Sequence, residues 1–174
     1  MFDLLKLFLP EEYVKNIFEI TPQFLKERGV KGVITDLDNT LVEWDRPSAP
    51  PKLKEWFKSM EQNGISVTIV SNNNEKRVRS FSEPLGISFI PKAKKPMGQA
   101  FRKALHTMGL KKNEVVVIGD QLLTDVLGGN RSGLKTILVV PVASTDGFWT
   151  RFNRRVERKI LSVLKRKGML YWEE

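Results

Sequence analysis

Short apolar runs alternate along the chain with stretches of helical spacing, and the strongest runs end in polar residues. The runs are Val30–Thr35, Ile65–Val70, Ser88–Ile90, Val115–Ile118 and Thr136–Val140. A strand buried on both faces reads as a continuous apolar run rather than as an alternation. Between the first two runs, Leu53, Trp56, Phe57 and Met60 keep the i, i+3, i+4 spacing of a helix that Gly64 closes. Further helices are expected over 75–85, with Val78 and Phe81 inward, over 97–108, and from Thr124 to a break at Gly128-Gly129. Ahead of the first run, residues 1–28 read as two short helices. Pro10 suits a first helical position, with Tyr13, Val14, Ile17 and Phe18 on one face; Thr21-Pro22 opens the second helix and Gly29 ends it. Phe2, Leu4, Leu5, Leu7, Phe8 and Leu9 form an apolar group, read either as core packing and edge cover or as a membrane-surface contact. Strands alternating with helices predict an α/β fold of three layers, with a mostly parallel, Rossmann-like sheet covered on both sides. A single domain is expected over 1–174: a core about 30–140, an N-terminal helical segment 1–29 and a C-terminal helix about 148–168.

In such sheets ligands bind beyond the carboxyl ends of the strands. Three polar signals stand in those places: Asp36-Leu37-Asp38-Asn39-Thr40, Ser71-Asn72-Asn73-Asn74 and Gly119–Asp125. Along a strand, side chains two apart share a face, so Asp36 and Asp38 point into one small volume. That crowding is relieved by a divalent cation, by protonation of one acid, or by both. The pair therefore suits a nucleophile and a general acid beside Mg²⁺, although Asp-x-Asp also occurs in turns and Ca²⁺ loops.

Composition narrows the chemistry. At 174 residues, 41% hydrophobic and 28% charged, the chain is long enough for a sizeable core. It has no cysteine, which excludes disulfides, a thiolate nucleophile and zinc–thiolate sites. Its one histidine, His106, excludes multi-histidine metal sites and falls in a helix away from the strand ends, as a surface or structural residue. A catalytic metal would then be held by oxygen ligands, which favours Mg²⁺. No apolar run reaches the roughly 18 residues that span a bilayer. There is no signal-peptide pattern, so a cytoplasmic protein is expected, free or peripheral at the inner face of the membrane. The net charge of +9 points to an anionic partner: nucleic acid, a lipid surface or a phosphorylated substrate.

Together, Asp36-Leu-Asp38-Asn-Thr40, Ser71-Asn72, Lys95-Pro96 and Gly119-Asp120-Gln-Leu-Leu-Thr-Asp125 resemble the four motifs of the haloacid dehalogenase superfamily of phosphohydrolases, in order, over residues 30–140. The resemblance implies roles. Asp36 would be the nucleophile that forms an aspartyl-phosphate. Asp38 would be the general acid and then the base. Thr40 would orient the first loop. Ser71, with Asn72 beyond it, would bind the phosphoryl oxygens, and Lys95, rather than its neighbours Lys92 and Lys94, would neutralise charge there. Mg²⁺ would be held by Asp36, the backbone carbonyl of Asp38 and Asp120, with Asp125 supporting from behind or through water.

Members of this superfamily often carry an inserted cap. Here 30 residues separate Thr40 from Ser71 and 23 separate Ser71 from Lys95, room for one helix and one strand each. A capless member with an open site is implied, able to admit a phosphate on something large. Over residues 148–167, Trp149, Phe152, Val156, Ile160 and Val163 fall on one helical face. Arg151, Arg154, Arg155, Arg158, Lys159, Lys165 and Arg166 cluster opposite. Such a helix either lies on an anionic membrane or packs its apolar stripe on the sheet and leaves its basic face solvated. Met169-Leu170-Tyr171-Trp172 suits a small anchor or an edge cover.

Within the superfamily, the Leu/Phe-rich start ending in Leu9-Pro10, the phrase Thr35–Leu41, Ser71-Asn72-Asn73 and Lys95-Pro96 resemble the YqeG-like group, which is similar to mitochondrial phosphatidylglycerophosphate phosphatases. That implies a monoester phosphate on an anionic membrane lipid. A phosphatase of soluble metabolites or nucleic-acid ends, and a non-catalytic protein docking on RNA or a ribosomal partner, are the alternatives.

Overall fold

The computed structural model of the chain describes residues 2–143, 148–170 and 172, with the backbone alone at 2, 3, 148 and 149. Its strands are β1 (Glu12–Val14), β2 (Gly32–Thr35), β3 (Ser66–Val70), β4 (Ser88–Ile90), β5 (Val115–Gly119) and β6 (Lys135–Val139). They form one sheet in the order β1-β6-β5-β2-β3-β4, and every neighbouring pair is parallel. The helices are α1 (Phe2–Lys6), α2 (Pro22–Glu27), α3 (Pro51–Gln62), α4 (Glu75–Ser82), α5 (Gln99–Met108), α6 (Leu127–Arg131) and α7 (Phe148–Arg166).

The strands are apolar throughout because both faces are covered, and the alternation of side chains decides which layer each residue joins. Val33, Val116 and Ile118 pack on one face against Leu53, Trp56, Phe57 and Met60 of α3 and Val78 and Phe81 of α4. Ile34, Val115 and Val117 pack on the other against Phe101, Ala104 and Leu105 of α5. The expected three-layer architecture is the observed one. Only α3 and β3 lie between Thr40 and Ser71, and only α4, a short 3₁₀ turn and β4 between Ser71 and Lys95, so no cap is inserted there.

Three expectations are corrected. The first concerns residues 10–18, read as a helix. Glu12–Val14 is instead an edge strand, with Glu12, Tyr13 and Val14 opposite Ile137, Leu138 and Val139. A short isolated helix is marginal, whereas the free edge of β6 offers a ready ladder. The backbone takes it: Glu11 N–H donates to Thr136 O and Val140 N–H to Val14 O. Tyr13 and Val14 then face opposite layers, an alternation that the helical spacing of Ile17 and Phe18 hid. The second helix stands as read, with the Thr21 hydroxyl accepting from Phe24 N–H and Gly29 at φ 69° beyond its end. Ahead of it, Asn130 Nδ2 donates to the carbonyls of Leu7 and Leu9, which pins the apolar start of the chain against the fold.

The second correction is at Gly128-Gly129. The helix does not break there; a π-helical turn over Leu122–Val126 runs straight into α6, which contains both glycines. Close packing requires the absent side chain. A Cβ on Gly129 would stand 2.4 Å from Thr136 Cγ2 and 3.2 Å from Val117 Cβ.

The third correction concerns α7. Its inward seam is Glu157 and Leu164, both buried, with Arg154 and Leu161 half-buried beside them; the apolar stripe does not form it, and Arg154 is paired with Asp120 rather than part of a solvated basic face. Phe152 of that stripe is 57% exposed, and Val156, Ile160 and Val163 are half-buried; Trp149 has no described side chain. Polar pairing explains the rotation, because Arg154 and Glu157 find buried partners on the sheet edge that an apolar stripe cannot satisfy. Trp172 stacks on Tyr13 at 5.2 Å between ring centroids and covers the β1 edge, while Tyr171 lies outside the described residues.

Gly129→Ala is expected to destabilise the fold by about 1–3 kcal/mol through overpacking, read as a lower urea midpoint at unchanged m-value; an unchanged midpoint would show that α6 can lift from β6 at no cost.

Candidate active site

The strand ends deliver the three polar signals to one edge. Asp36 N–H donates to Ile118 O at 3.0 Å, so the residue continues the ladder of β2 beside β5 and its side chain is fixed at the sheet's rim. Beyond it the chain turns through Asn39 at φ 63°, and Asn39 N–H donates to Val42 O. On the next strand, Ser71 N–H donates to Ile90 O, and the segment after β4 folds back beneath: Ala93 N–H donates to Ser71 O and Lys92 N–H to Asn73 O. The Asn72 side chain clasps the backbone of Lys95, accepting from its N–H at 2.7 Å and donating to its carbonyl at 3.2 Å. Lys92 and Lys94, both at positive φ, are exposed on either side of this fold-back, and Lys95 is buried.

Lys95 Nζ donates to Asp36 Oδ1 at 2.9 Å and to Asp125 Oδ1 at 2.7 Å. Burial alone would lower the ammonium's pKa, but the Asp125 and Asp36 carboxylates outweigh it and raise it above the usual lysine value. Asp125 reaches the lysine because Gly119 leaves room: a Cβ there would lie 2.1 Å from Asp125 Cγ. Thr40 does more than hold its loop. Its hydroxyl donates to Asp120 Oδ1 at 2.7 Å. Arg154 donates to Asp120 Oδ2, to Asp120 O at 2.6 Å and to Glu157 Oε2 at 3.2 Å.

Asp36, Asp120 and Asp125 each offer an oxygen, and these atoms lie within 4.8 Å of one another. Burial, with Asp36 nearby, pushes Asp120 up to about 8 despite Arg154. Burial likewise pushes Asp125 up to about 6 despite Lys95. Three buried carboxylates face two cations, and a buried all-oxygen donor set short of positive charge suits a hard divalent cation. Asp38 stands apart. Arg77 donates to its Oδ1 at 2.9 and 3.1 Å and Asn73 Nδ2 to its Oδ2 at 2.8 Å. Burial raises its pKa, against the pull of Asn73 and Arg77. A cavity of about 440 Å³ joins Asp36, Asp38, Ser71 and Lys95, with Trp44, Thr150 and Asn153 also in its lining. His106 is exposed on α5, away from this edge.

A family model described as haloacid dehalogenase-like hydrolase matches residues 8–133. The chain belongs to the haloacid dehalogenase-like hydrolases. It is 73% identical over 171 residues to the probable phosphatase YqeG of Bacillus subtilis (strain 168), covering 98% of this chain and 99% of that one. It is 31% identical over 178 residues to phosphatidylglycerophosphate phosphatase 1, chloroplastic/mitochondrial, of Arabidopsis thaliana, covering 92% of this chain but 49% of that protein, so it spans about half that relative's length. The cobalt-bound deoxy-D-mannose-octulosonate 8-phosphate phosphatase of Haemophilus influenzae shares the fold at a TM-score of 0.56 and 16% identity, over 83% of this chain and 92% of that one. This haloacid dehalogenase-like hydrolase is a phosphatase, a phosphoric monoester hydrolase.

In this hydrolase the fold brings Asp36, Ser71, Lys95, Asp120 and Asp125 to one rim, with Asp38 and Thr40 at its border. The Asn72 side chain turns to Lys95 instead of the cavity. Sequence reasoning missed Arg77 and Arg154. Arg77 lies in the first turn of α4, where the helix dipole disfavours a cation; that misplacement was the signal for an anionic partner. Arg154 was hidden among six other cations on α7, although its i, i+3 pairing with Glu157 marks a seam that differs from the rest.

Gly119→Ala is expected to push Asp125 off Lys95 and to cut phosphatase turnover by about 100-fold, the scale of a misplacement near 1 Å, with an unchanged far-UV spectrum; full turnover would remove Asp125 from the functional set.

Proposed function

We propose that this phosphatase is a Mg²⁺-dependent phosphomonoesterase that works through an aspartyl-phosphate on Asp36, and that its substrate is phosphatidylglycerophosphate. The observation that carries the mechanism is the Asp36 carboxylate, held at the cavity floor by Lys95 within a buried acidic cluster. Its free oxygen attacks phosphorus in line, and the bond from phosphorus to the leaving oxygen breaks. Asp38 gives its proton to that oxygen, then takes one from the water that hydrolyses the acyl phosphate, releasing inorganic phosphate and restoring Asp36. Burial raises the pKa of Asp38 above the ordinary carboxylate value, the direction a general acid needs. Ser71 Oγ accepts from Asn73 N–H, which leaves its own proton to donate to a phosphoryl oxygen. Phosphate binding by Asn72 falls to its backbone, since its amide is committed to Lys95. Lys95 holds the Asp36 carboxylate in place and offsets charge on the phosphoryl group. Mg²⁺, held by Asp36, Asp120 and the Asp38 carbonyl with Asp125 in support, would draw charge from the phosphoryl oxygens.

Three features support the lipid. The Arabidopsis relative is named for this substrate. The site has no inserted cap, so a phosphate on a bilayer can reach it. Beside the site, α7 exposes Phe152 and carries Arg155, Arg158 and Lys159, a combination suited to an anionic membrane surface at the inner leaflet. No described helix is long and apolar enough to cross a membrane.

Phosphate release from phosphatidylglycerophosphate in detergent micelles is expected to require Mg²⁺ and to vanish in Asp36→Asn. Equal kcat/KM on sugar phosphates or on nucleic-acid ends would sink the lipid assignment, and retained turnover in Asp36→Asn would sink the mechanism. The metal reading has its own test. Because the folded pKa values of Asp120 and Asp125 are raised, the stability they contribute is present below the unfolded carboxylate value and is lost as pH rises through about 6 and then about 8. Mg²⁺ binds the ionised cluster, so it is expected to raise the melting temperature more at alkaline than at mildly acidic pH, a hundredfold excess over Kd adding about 2.7 kcal/mol of stability. A shift independent of pH would place the ion elsewhere.

A further inference from the structure

A second cavity, about 860 Å³, lies beside the first along the same sheet edge. The opening turns of α7 stand between them: Thr150 and Asn153 line the catalytic cavity, Arg151 and Arg155 its neighbour. The floor of the second cavity is apolar, made by Leu138 at the end of β6, Leu161 of α7 and the Tyr13–Trp172 stack. Its rim is cationic. Arg151, Arg155 and Arg158 follow at i, i+4 and i+7 along one flank of α7, and all three are exposed. The acids of the lining are already matched, since Asp120 and Glu157 both accept from Arg154. Among the described residues no ion pair engages the three rim arginines. A small hydrated anion makes no use of the floor, and a neutral apolar ligand leaves the guanidinium groups unmatched. The chemistry that uses both is an anionic amphiphile.

We infer that this groove receives the remainder of the lipid substrate: its phosphodiester on Arg151, Arg155 and Arg158, and the first part of an acyl chain on the Leu138–Leu161–Trp172 floor. The monoester and the diester of such a lipid are joined by one glycerol, so they belong in neighbouring cavities. The groove thus selects a lipid that carries both phosphates. This inference rests on the reading of the substrate as phosphatidylglycerophosphate.

The test compares the full chain with Arg155→Gln/Arg158→Gln, with Val140→Glu, which puts a charge into the groove wall, and with Lys165→Gln/Arg166→Gln near the far end of α7. Each is assayed with Mg²⁺ on phosphatidylglycerophosphate dilute in nonionic micelles, on its deacylated form, and on p-nitrophenyl phosphate. Nonionic micelles carry no surface potential, so KM reports the substrate rather than attraction to a charged bilayer. The arginine double variant is expected to raise KM on the lipid and on its deacylated form by roughly tenfold or more, the scale of one lost charge-assisted hydrogen bond. Its kcat and its activity on p-nitrophenyl phosphate should hold. Val140→Glu should raise KM on the lipid alone, and Lys165→Gln/Arg166→Gln should change nothing. Wild-type turnover of the lipid with an unchanged KM in Arg155→Gln/Arg158→Gln overturns the groove and leaves the substrate reading standing. An equal loss in Lys165→Gln/Arg166→Gln also overturns it, in favour of general surface charge. Wild-type turnover of p-nitrophenyl phosphate without any of the lipid overturns the substrate reading and the groove's occupant together.

Discussion

A buried ammonium between two buried carboxylates organises this molecule. Lys95 lies 2.9 Å from Asp36 and 2.7 Å from Asp125, with its side chain almost wholly removed from water. Desolvating three charges is expensive, and the arrangement persists only because each is held to the others. Its parts come from three separate segments: the end of β2, the chain after β4 and the turn after β5. Since β4 is the edge strand, the lysine must cross beneath the end of β3 to reach Asp36. The Ser71–Asn73 loop is the platform for that crossing, through its two backbone hydrogen bonds and the Asn72 clasp. One ion-pair cluster therefore dictates the shape of the loops after β2, β3, β4 and β5.

The same balance explains why α7 sits where it does. With Lys95 shared by Asp36 and Asp125, no cation of the sheet pairs with Asp120 among the described residues. Arg154 supplies one and carries Glu157 with it into the seam, where Leu123 N–H donates to Glu157. A helix docked by polar pairing turns its apolar stripe partly to solvent. The exposed Phe152 and the cationic flank of α7 are thus consequences of the acidic cluster that the helix completes. Surface character and site chemistry are linked through one arginine.

How much of this was legible in the sequence depended on whether the signal was local. The buried strands and the rim residues were readable, because a run of apolar residues that stops at Asp36, Ser71 or Gly119 carries its own boundary. The edge strand β1 was not. Three residues cannot display a period, and what makes them a strand is the open side of β6, more than 120 residues further along the chain. The helix through Gly128-Gly129 was misread for a related reason: local propensity argues for a break, whereas Thr136 and Val117 demand a surface without Cβ atoms. Arg154 was read as one charge of a basic face, and Arg77 was not singled out at all. Their roles are set by Asp120 and Asp38, which lie more than 30 residues away in sequence.

The absent cap is where these threads meet. A phosphoryl-transfer site gains from excluding water, and superfamily members with a cap do so with an inserted domain. Here the mouth of the cavity is formed by Trp44 from the loop after β2 and by Thr150 and Asn153 from the first turns of α7. Asn153 also reaches back to Gln121, next to Asp120 on the rim. The C-terminal helix therefore stands on the shoulder of the site that a cap would cover, anchored by Arg154 rather than by a hinge. The same turns of α7 present Phe152, 57% exposed, to solvent. On the substrate proposed above, held in a bilayer, water exclusion would be supplied by the surface that presents the phosphate.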